Sequence, residues 1–180
     1  APFWGGYATL PQNSTPAKTQ LIKALCINTM NVIEILKKYE DRIFCEKRVA
    51  FSLIYKGEVV APNLPGIYVF FKDNDVVYVG ESGCILSRMR DVKRTVNHTL
   101  RRAIGKLQFS SVEGYVRATS KKKYPEHIEE MVTDYMFALG VVFLPIEFGR
   151  TETEEYLVEK YNPTYNTKRK RKNAITKLVT

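Results

Sequence analysis

Two β-prone apolar runs joined by a short polar turn constrain this sequence more than any other feature. Residues 66–71 read Gly-Ile-Tyr-Val-Phe-Phe, residues 76–80 read Val-Val-Tyr-Val-Gly, and the polar residues 72–75 join them. Aromatic and β-branched residues fit a pleated strand, whereas Asp and Asn fit a tight turn. The segment therefore predicts an antiparallel β-hairpin, and because both strands are apolar throughout, both faces should be covered.

Helical and strand patterns alternate over the rest of the chain. Apolar residues at helical spacing predict helices at 19–41, around 85–94, at 99–106, from Pro125 to a terminating Gly140, and at 151–161. Runs of β-prone residues predict further strands at 51–55, 58–60, 114–118 and 141–148. The expected fold class is α/β (α+β), with a small central antiparallel sheet that contains the hairpin, flanking helices and an N-terminal extension of helix and strands.

Composition excludes several classes of protein. The chain has 3 Cys and no CxxC spacing, which argues against a disulfide framework and against a zinc site. Its 2 His exclude a metal site built from several histidines. No apolar run has bilayer length and no signal-peptide pattern is present, so we expect an intracellular, cytoplasmic protein with reduced cysteines and no membrane partner.

Basic residues concentrate in one stretch of the chain. Residues 83–123 hold 11 Lys/Arg and 2 Asp/Glu, an excess that equals the net charge of +9 of the whole chain. The remainder is therefore neutral in sum. A basic segment in a neutral background indicates a surface that binds a polyanion, and a solvated, solubilising surface is the alternative.

Five short motifs follow one another in a fixed order. They are Gly-Ile-Tyr, Tyr-Val-Gly, an arginine ten residues after the second tyrosine, a helical glutamate and Pro-x-x-Asn. With this order and spacing, residues 64–166 resemble the GIY-YIG nuclease family. The matching positions are Gly66-Ile67-Tyr68, Tyr78-Val79-Gly80, Arg88, Glu154 and Pro163 to Asn166. The spacing is similar to that of small phage, restriction and single-strand-type members, and the acidic helix resembles that of excision-repair incision nucleases.

The resemblance implies a Mg²⁺-dependent endodeoxyribonuclease, with Mn²⁺ as a substitute, that leaves 5′-phosphate and 3′-hydroxyl ends on DNA. Glu154 shares the apolar stripe of its helix with Leu157 and Tyr161, and one carboxylate plus waters suits Mg²⁺. A capping box between Thr151 and Glu154 is the structural alternative. Arg88 would hold the scissile phosphate, because a guanidinium stays charged and matches phosphate geometry.

The tyrosines and a histidine complete the expected catalytic set. We expect Tyr68 to be the general base and Tyr78 a positioning hydroxyl, with the opposite assignment open, since the tyrosine pKa of about 10 must be lowered in a base. Many family members carry His or Tyr four residues after the arginine, where this chain has Val92. Either His98 takes over that role, or the catalytic arginine is Arg94, four residues before His98.

Asn166 and the basic stretch are expected to support this set. The Asn166 side chain should brace the glutamate helix, or Asn166 is only a turn residue. Contacts to backbone phosphates are expected from Arg90, Arg94, Arg101, Arg102, Lys106, Arg117, Lys121, Lys122 and Lys123.

Domain boundaries and substrate follow from the extent of the resemblance. We expect a flexible N-terminal segment at 1–18, an extension of helix and strands packing on the core at 19–63, the nuclease domain at 64–166 and a basic tail at 167–180. The partner is DNA, and the chain is a monomer or a homodimer. Duplex DNA at a restriction site, nicked or damaged duplex, and single-stranded DNA compete as substrates, and a non-catalytic DNA- or RNA-binding module that kept the fold is the alternative function.

Overall fold

The computed structural model describes residues 32–166. The chain divides into two compact units, residues 1–35 and 36–180, and the second unit carries the whole described sheet. The predictions for residues 1–31 and for the basic tail lie outside the described residues. Within the described range, no helix has the length and apolar character needed to cross a membrane.

A four-stranded antiparallel sheet forms the centre of the second unit. Its strands are β1 (Val49–Ala50), β2 (Gly66–Lys72), β3 (Asp75–Ser82) and β4 (Gly140–Pro145). They lie in the order β1-β4-β2-β3, so that β4 and β2 are central and β3 is an edge strand. The predicted fold class, a small antiparallel sheet with flanking helices, is confirmed.

Six helices accompany the strands in the described part of the chain. They are α1 (32–45), α2 (Phe51–Lys56), α3 (Ile85–Val92), α4 (Thr99–Phe109), α5 (Glu126–Phe137) and α6 (Arg150–Tyr161). Helices α3 to α6 confirm the predicted helices to within a few residues at each end. The predicted helix that ends near Asp41 continues to residue 45.

The predicted hairpin is confirmed, and its register places the candidate site residues. Strands β2 and β3 pair antiparallel with Tyr68 directly opposite Gly80. Val77 has no opposing residue in β2, which makes it a β-bulge. A bulge interrupts the alternation of side chains, and Val77 and Tyr78 both join the core cluster that contains Tyr68.

Both faces of the sheet are covered, as the apolar runs predict. On one face Tyr68 belongs to a core cluster with Ile104 of α4 and Val132 of α5. On the other face Ile67 belongs to a second cluster with Leu157 of α6. Neighbouring residues of β2 therefore face different helical layers, as the period of two in a strand requires.

Residues 51–55 form helix α2 and not the predicted strand. Phe51 and Ile54 are both buried, and their separation of three residues puts them on one face of a helix. Gly57 ends the helix with a φ of 84°, and residues 58–60 are not a strand either. The prediction was wrong because β-propensity is weak and the burial of a helix face overrides it.

Two further elements differ from the prediction. Residues 114–118 do not form a strand. Gly114 has a φ of 74°, which turns the chain away from extended geometry, and the segment packs Tyr115 against the core and not against a strand. Gly140 begins β4 and does not end a helix, because α5 already stops at Phe137 and is capped by Ala138.

Glu40 of α1 fixes the C-terminal half of α6. Its carboxylate accepts hydrogen bonds from Lys160 (2.7 Å), from Tyr156 (2.8 Å) and from Tyr161. Burial raises the pKa of Glu40, but the three hydrogen bonds outweigh burial, and the pKa lies below the usual 4.5. Glu40 is therefore ionised at neutral pH and holds the helix whose first turns carry the candidate metal ligand.

Candidate active site

Tyr68 and His98 form the centre of the candidate site. Tyr68 of β2 is 2% exposed, and His98, which precedes α4, is 3% exposed. The Tyr68 hydroxyl oxygen and His98 Nε2 lie 2.9 Å apart. His98 is also the N-cap of α4, since its Nδ1 accepts the Leu100 N–H at 3.2 Å. The start of α4 thus holds the imidazole against Tyr68.

The cap decides which nitrogen of His98 carries the hydrogen. Because Nδ1 accepts a backbone N–H, the neutral ring must carry its hydrogen on Nε2. Burial, together with the charges of Arg88 and Arg102, lowers the pKa of His98 from 6.5 to about 3. The ring is therefore neutral at neutral pH, and its Nε2–H donates to the Tyr68 oxygen. His98 positions Tyr68 and is too enclosed to meet a phosphate itself.

The pKa of Tyr68 shows which groups surround its hydroxyl. Burial raises this pKa well above 10, the neighbouring Tyr78 and the charge of Glu154 raise it further, and the charge of Arg88 lowers it. The hydroxyl is therefore protonated at neutral pH. Tyr78, Arg88 and Glu154, which lie up to 86 residues from Tyr68 in the sequence, thus all act on its hydroxyl.

Tyr78 lies beside Tyr68 on the floor of the site. The two rings are 6.1 Å apart between centroids and inclined by 30°. The Tyr78 hydroxyl lies 3.3 Å from the Thr99 hydroxyl, the first residue of α4. The motifs do not reveal Thr99, because this contact depends on where α4 begins in space.

Gly80 leaves the room that the Tyr68 ring occupies. A Cβ at position 80 would lie 2.3 Å from Tyr68 Cζ and 2.4 Å from its hydroxyl oxygen. Contacts this short do not occur between non-bonded atoms, so any side chain here would displace the tyrosine. The glycine of the Tyr-Val-Gly motif is thus explained by the cross-strand pair that it forms with Tyr68.

Replacing Gly80 by alanine should displace the Tyr68 hydroxyl from His98. We expect the variant to lose about 1–3 kcal/mol of stability from overpacking, and the DNA cleavage that the motif resemblance implies to fall by about 10²-fold from misplacement of the hydroxyl. Gly83→Ala is the matched control, because nothing lies within 4 Å of a Cβ at that position. Urea unfolding and cleavage rates measure both effects. Equal stability and activity of the two variants would contradict the role of Gly80.

Arg88 of α3 is the arginine that the structure places beside Tyr68. Its charge lowers the pKa of both Tyr68 and His98. Its Nε is buried without a hydrogen-bond partner among the described residues, and its Nη1 lies 3.7 Å from the Asp91 carboxylate. A buried donor without an acceptor suits an anionic ligand. Arg94 is exposed and lines a different cavity, so the geometry favours Arg88 of the two candidates.

Glu154 lies in the first turns of α6 and is 8% exposed. Helix α6 has Gly149 as its N-cap with no side-chain hydrogen bond, so the capping box with Thr151 does not form. The Thr153 hydroxyl donates to the Gly149 carbonyl oxygen at 2.6 Å. The charge of Glu154 raises the pKa of Tyr68, so this carboxylate acts electrostatically on the Tyr68 hydroxyl.

The donors around Glu154 fit Mg²⁺ better than Zn²⁺. Among residues 32–166, no group of three or more His, Cys, Asp or Glu could hold a metal ion. His98 is not an available ligand, because both of its ring nitrogens are engaged. A cation held by the Glu154 carboxylate would complete its shell with water, as Mg²⁺ does readily in proteins.

Asn166 braces β3 and not the glutamate helix as predicted. Its Oδ1 accepts the Val79 N–H, and its Nδ2 donates to the Val79 carbonyl oxygen, both at 2.8 Å. The Tyr165 N–H donates to the Val77 carbonyl oxygen at 3.0 Å. The closing residues thus cover the free edge of β3 on both sides of Tyr78, which makes Asn166 a positioning residue.

Arg101 corrects the prediction for the basic stretch. It is 1% exposed, and its Nη2 lies 2.9 Å from the Glu129 carboxylate. Its Nε and Nη2 also donate to the hydroxyls of Thr95 and Thr133. The side chain ties α4 to α5 and does not reach a phosphate. An arginine buried in a complete network cannot be distinguished from a surface arginine by sequence.

The other basic residues remain accessible. Arg102 is half-buried, and its Nη1 donates to the carbonyl oxygens of Thr95 and Val96. The remaining members of the predicted phosphate-binding set are exposed: Arg90, Arg94, Lys106, Arg117, Lys121, Lys122 and Lys123.

Acidification should destabilise the protein through His98. The folded state binds a proton at this ring only near pH 3, whereas the unfolded chain binds one near pH 6.5. The stabilising contribution is therefore complete above pH 6.5 and is lost as the pH falls toward 3, at up to about 1.4 kcal/mol per pH unit. Urea unfolding of the wild type and of His98→Gln between these limits measures it. We expect the stability advantage of the wild type to shrink on acidification, and a constant difference would refute the assignment.

No protein-family model matches the chain. No curated protein matches it either. Solved structures similar to this chain include GIY-YIG endonuclease domains. The magnesium-bound GIY-YIG N-terminal endonuclease domain of UvrC from Thermotoga maritima is 19% identical with a TM-score of 0.35, and the match covers 63% of this chain and 96% of that one. A point mutant of the same domain, bound to the catalytic divalent cation, is 18% identical with a TM-score of 0.35, and the match covers 64% and 96%. These domains carry the name of the family that the sequence motifs resemble.

Proposed function

We propose that this protein is a GIY-YIG-type endonuclease that hydrolyses DNA phosphodiester bonds with a divalent cation and leaves 5′-phosphate and 3′-hydroxyl ends. One observation carries the proposal. The proposal is supported by the Tyr68–His98 hydrogen bond, by a buried Arg88 Nε without an acceptor among the described residues, and by a nearly buried Glu154, with the charges of Arg88 and Glu154 both acting on Tyr68. Tyrosines and charged residues with a purely structural role would not need these three features together.

Each side chain has a role that follows from its surroundings. Arg88 holds the scissile phosphate, because its Nε needs an acceptor. Tyr68 orients the attacking water and takes its proton, since the Nε2–H of His98 and the charge of Arg88 both favour the tyrosinate. Tyr78, held by Thr99, positions the water or the phosphate. Asn166 keeps Tyr78 in place through β3.

Glu154 holds the divalent cation in this proposal. When bound, the cation neutralises negative charge on the phosphate and lowers the pKa of nearby water and hydroxyl groups. Without added positive charge, the pKa of Tyr68 stays well above 10. The raised pKa therefore predicts that Tyr68 acts as a base only in the loaded site.

Incubation of the protein with single-stranded DNA, duplex DNA and RNA tests the proposal, with Mg²⁺ or with a chelator. We expect Mg²⁺-dependent cleavage of DNA and none with the chelator. The Glu154→Gln protein, purified identically, controls for contaminating nucleases. Binding of DNA without cleavage by the wild type would support the non-catalytic module, and cleavage of RNA alone would overturn the substrate class.

A further inference from the structure

We propose that a cavity beside Tyr78 binds one unpaired nucleotide of the substrate strand, so that the enzyme prefers single-stranded or locally unpaired DNA. This inference rests on the proposed function and names its substrate class. The cavity has a volume of about 550 Å³, within the range of small-ligand sites. It lies outside the group formed by Tyr68, His98, Arg88 and Glu154.

The wall of the cavity is cationic. Arg102, Lys106 and Arg117 line it, and none of the described lining residues is acidic. The two backbone carbonyls that accept from Arg102 Nη1 hold that side chain in place. Lys106 and Arg117 are exposed, so they can meet a phosphate without losing an internal partner. This charge pattern selects an anion.

The floor of the cavity is aromatic and held in place. Tyr124 and Tyr165 both line it and are buried. The Tyr124 hydroxyl donates to the Arg102 carbonyl oxygen at 2.7 Å. Its ring lies against Gly105, where a Cβ would come within 2.4 Å. Tyr165 donates to the Tyr135 hydroxyl at 2.6 Å. Ala103, Leu107 and Ala118 also line the cavity, so its lining combines apolar with cationic residues and fits a ligand with an apolar ring and a phosphate.

The cavity adjoins the catalytic floor through two of its lining residues. Thr99 contacts the Tyr78 hydroxyl, and Asn166 makes two hydrogen bonds to Val79. A strand bound at Tyr78 can therefore place a neighbouring nucleotide in the cavity. This continuity favours a nucleotide of the substrate over an unrelated small anion.

The volume of the cavity favours an unpaired base. A paired base is stacked within its helix and carries a partner strand, so it enters a pocket only after extrusion, which costs a few kcal/mol. A single-stranded or extrahelical nucleotide avoids most of that cost. The cavity therefore binds unpaired DNA more tightly than continuous duplex.

Binding and cleavage by cavity variants test the inference. The Lys106→Ala/Arg117→Ala double variant is compared with the charge-retaining Lys106→Arg/Arg117→Lys variant and with Lys47→Ala, an exposed lysine outside the cavity. The probes are a fluorescent oligothymidylate and a duplex of equal length, measured by anisotropy without divalent cation. Cleavage of single-stranded DNA, of duplex DNA and of duplex with one extrahelical nucleotide is then measured with Mg²⁺.

We expect the double alanine variant to bind oligothymidylate about tenfold more weakly, with a salt dependence reduced by about 1.4 in logarithmic slope for two lost phosphate contacts. Duplex binding should change less than twofold, the charge-retaining variant should recover, and the wild type should cut unpaired DNA faster than duplex. An equal loss of affinity for both probes, or unchanged oligothymidylate binding, would contradict the proposal that the cavity binds an unpaired nucleotide. Absence of any cleavage by the wild type would overturn the proposed function, while the anisotropy result would still decide whether the cavity binds a nucleotide.

Discussion

Replacing Glu154 by glutamine is expected to lower the rate of DNA cleavage by about three orders of magnitude, which equals about 4 kcal/mol of transition-state stabilisation. Glutamine keeps the shape of the side chain and removes its charge. A neutral amide is a poor ligand for Mg²⁺, which prefers carboxylate oxygens. The loss of cleavage activity should therefore be nearly complete.

Glu159→Gln is the matched control for this substitution. Glu159 lies on the same helix and is exposed, so the substitution removes the same charge outside the site. Cleavage rates and calorimetric titration with Mg²⁺ should separate the two variants, and thermal unfolding should show both folded. Full activity of Glu154→Gln, or an equal loss of activity in both variants, would contradict the proposed role of Glu154 as the metal ligand.

Replacing Tyr68 by phenylalanine is expected to lower cleavage by about 10²–10⁴-fold, the range of a lost general base. The ring remains to fill the core, but the hydroxyl that accepts from His98 is gone. The Nε2–H of His98 then lacks this acceptor in a buried place, which should cost about 1–3 kcal/mol of stability. A kinetic pH profile and urea unfolding measure the two losses separately.

Tyr78→Phe decides between the two tyrosines. The Tyr78 hydroxyl lies 3.3 Å from the Thr99 hydroxyl, a longer contact than the 2.9 Å between the Tyr68 oxygen and His98 Nε2. We expect this variant to lose at most about tenfold in rate, as a positioning hydroxyl would. A greater loss in Tyr78→Phe than in Tyr68→Phe would exchange their roles.

The hairpin could be predicted from sequence because its information is local. Residues 66–80 combine strand propensity with a polar turn, and no tertiary contact opposes that preference. The same reasoning failed at residues 51–55, which have equal β-propensity but bury Phe51 and Ile54 from a helix. It failed again at 114–118, where Gly114 has a φ of 74° and turns the chain. Local propensity decides the secondary structure of a segment only where packing against the neighbouring elements favours the same structure.

The site residues divide in the same way. Tyr68, Tyr78 and Glu154 could be proposed from their motifs, since each stands at a fixed place on a strand or a helix. The partner of His98 could not, because a hydrogen bond across 30 residues depends on where the N-terminus of α4 lies. Arg101, predicted to contact DNA, is enclosed by Glu129 from another helix.

By itself, the sequence determined the hairpin, the helical stripes, the basic stretch and the identity of the candidate catalytic groups, because periodicity and residue chemistry are properties of short segments. Only the tertiary structure decided that Arg88, and not Arg94, acts on Tyr68. It also decided that His98 donates to the Tyr68 oxygen and that Asn166 braces β3. These outcomes depend on distances between segments remote in the chain. Such distances are set by how the two core layers pack, and a linear pattern does not contain them.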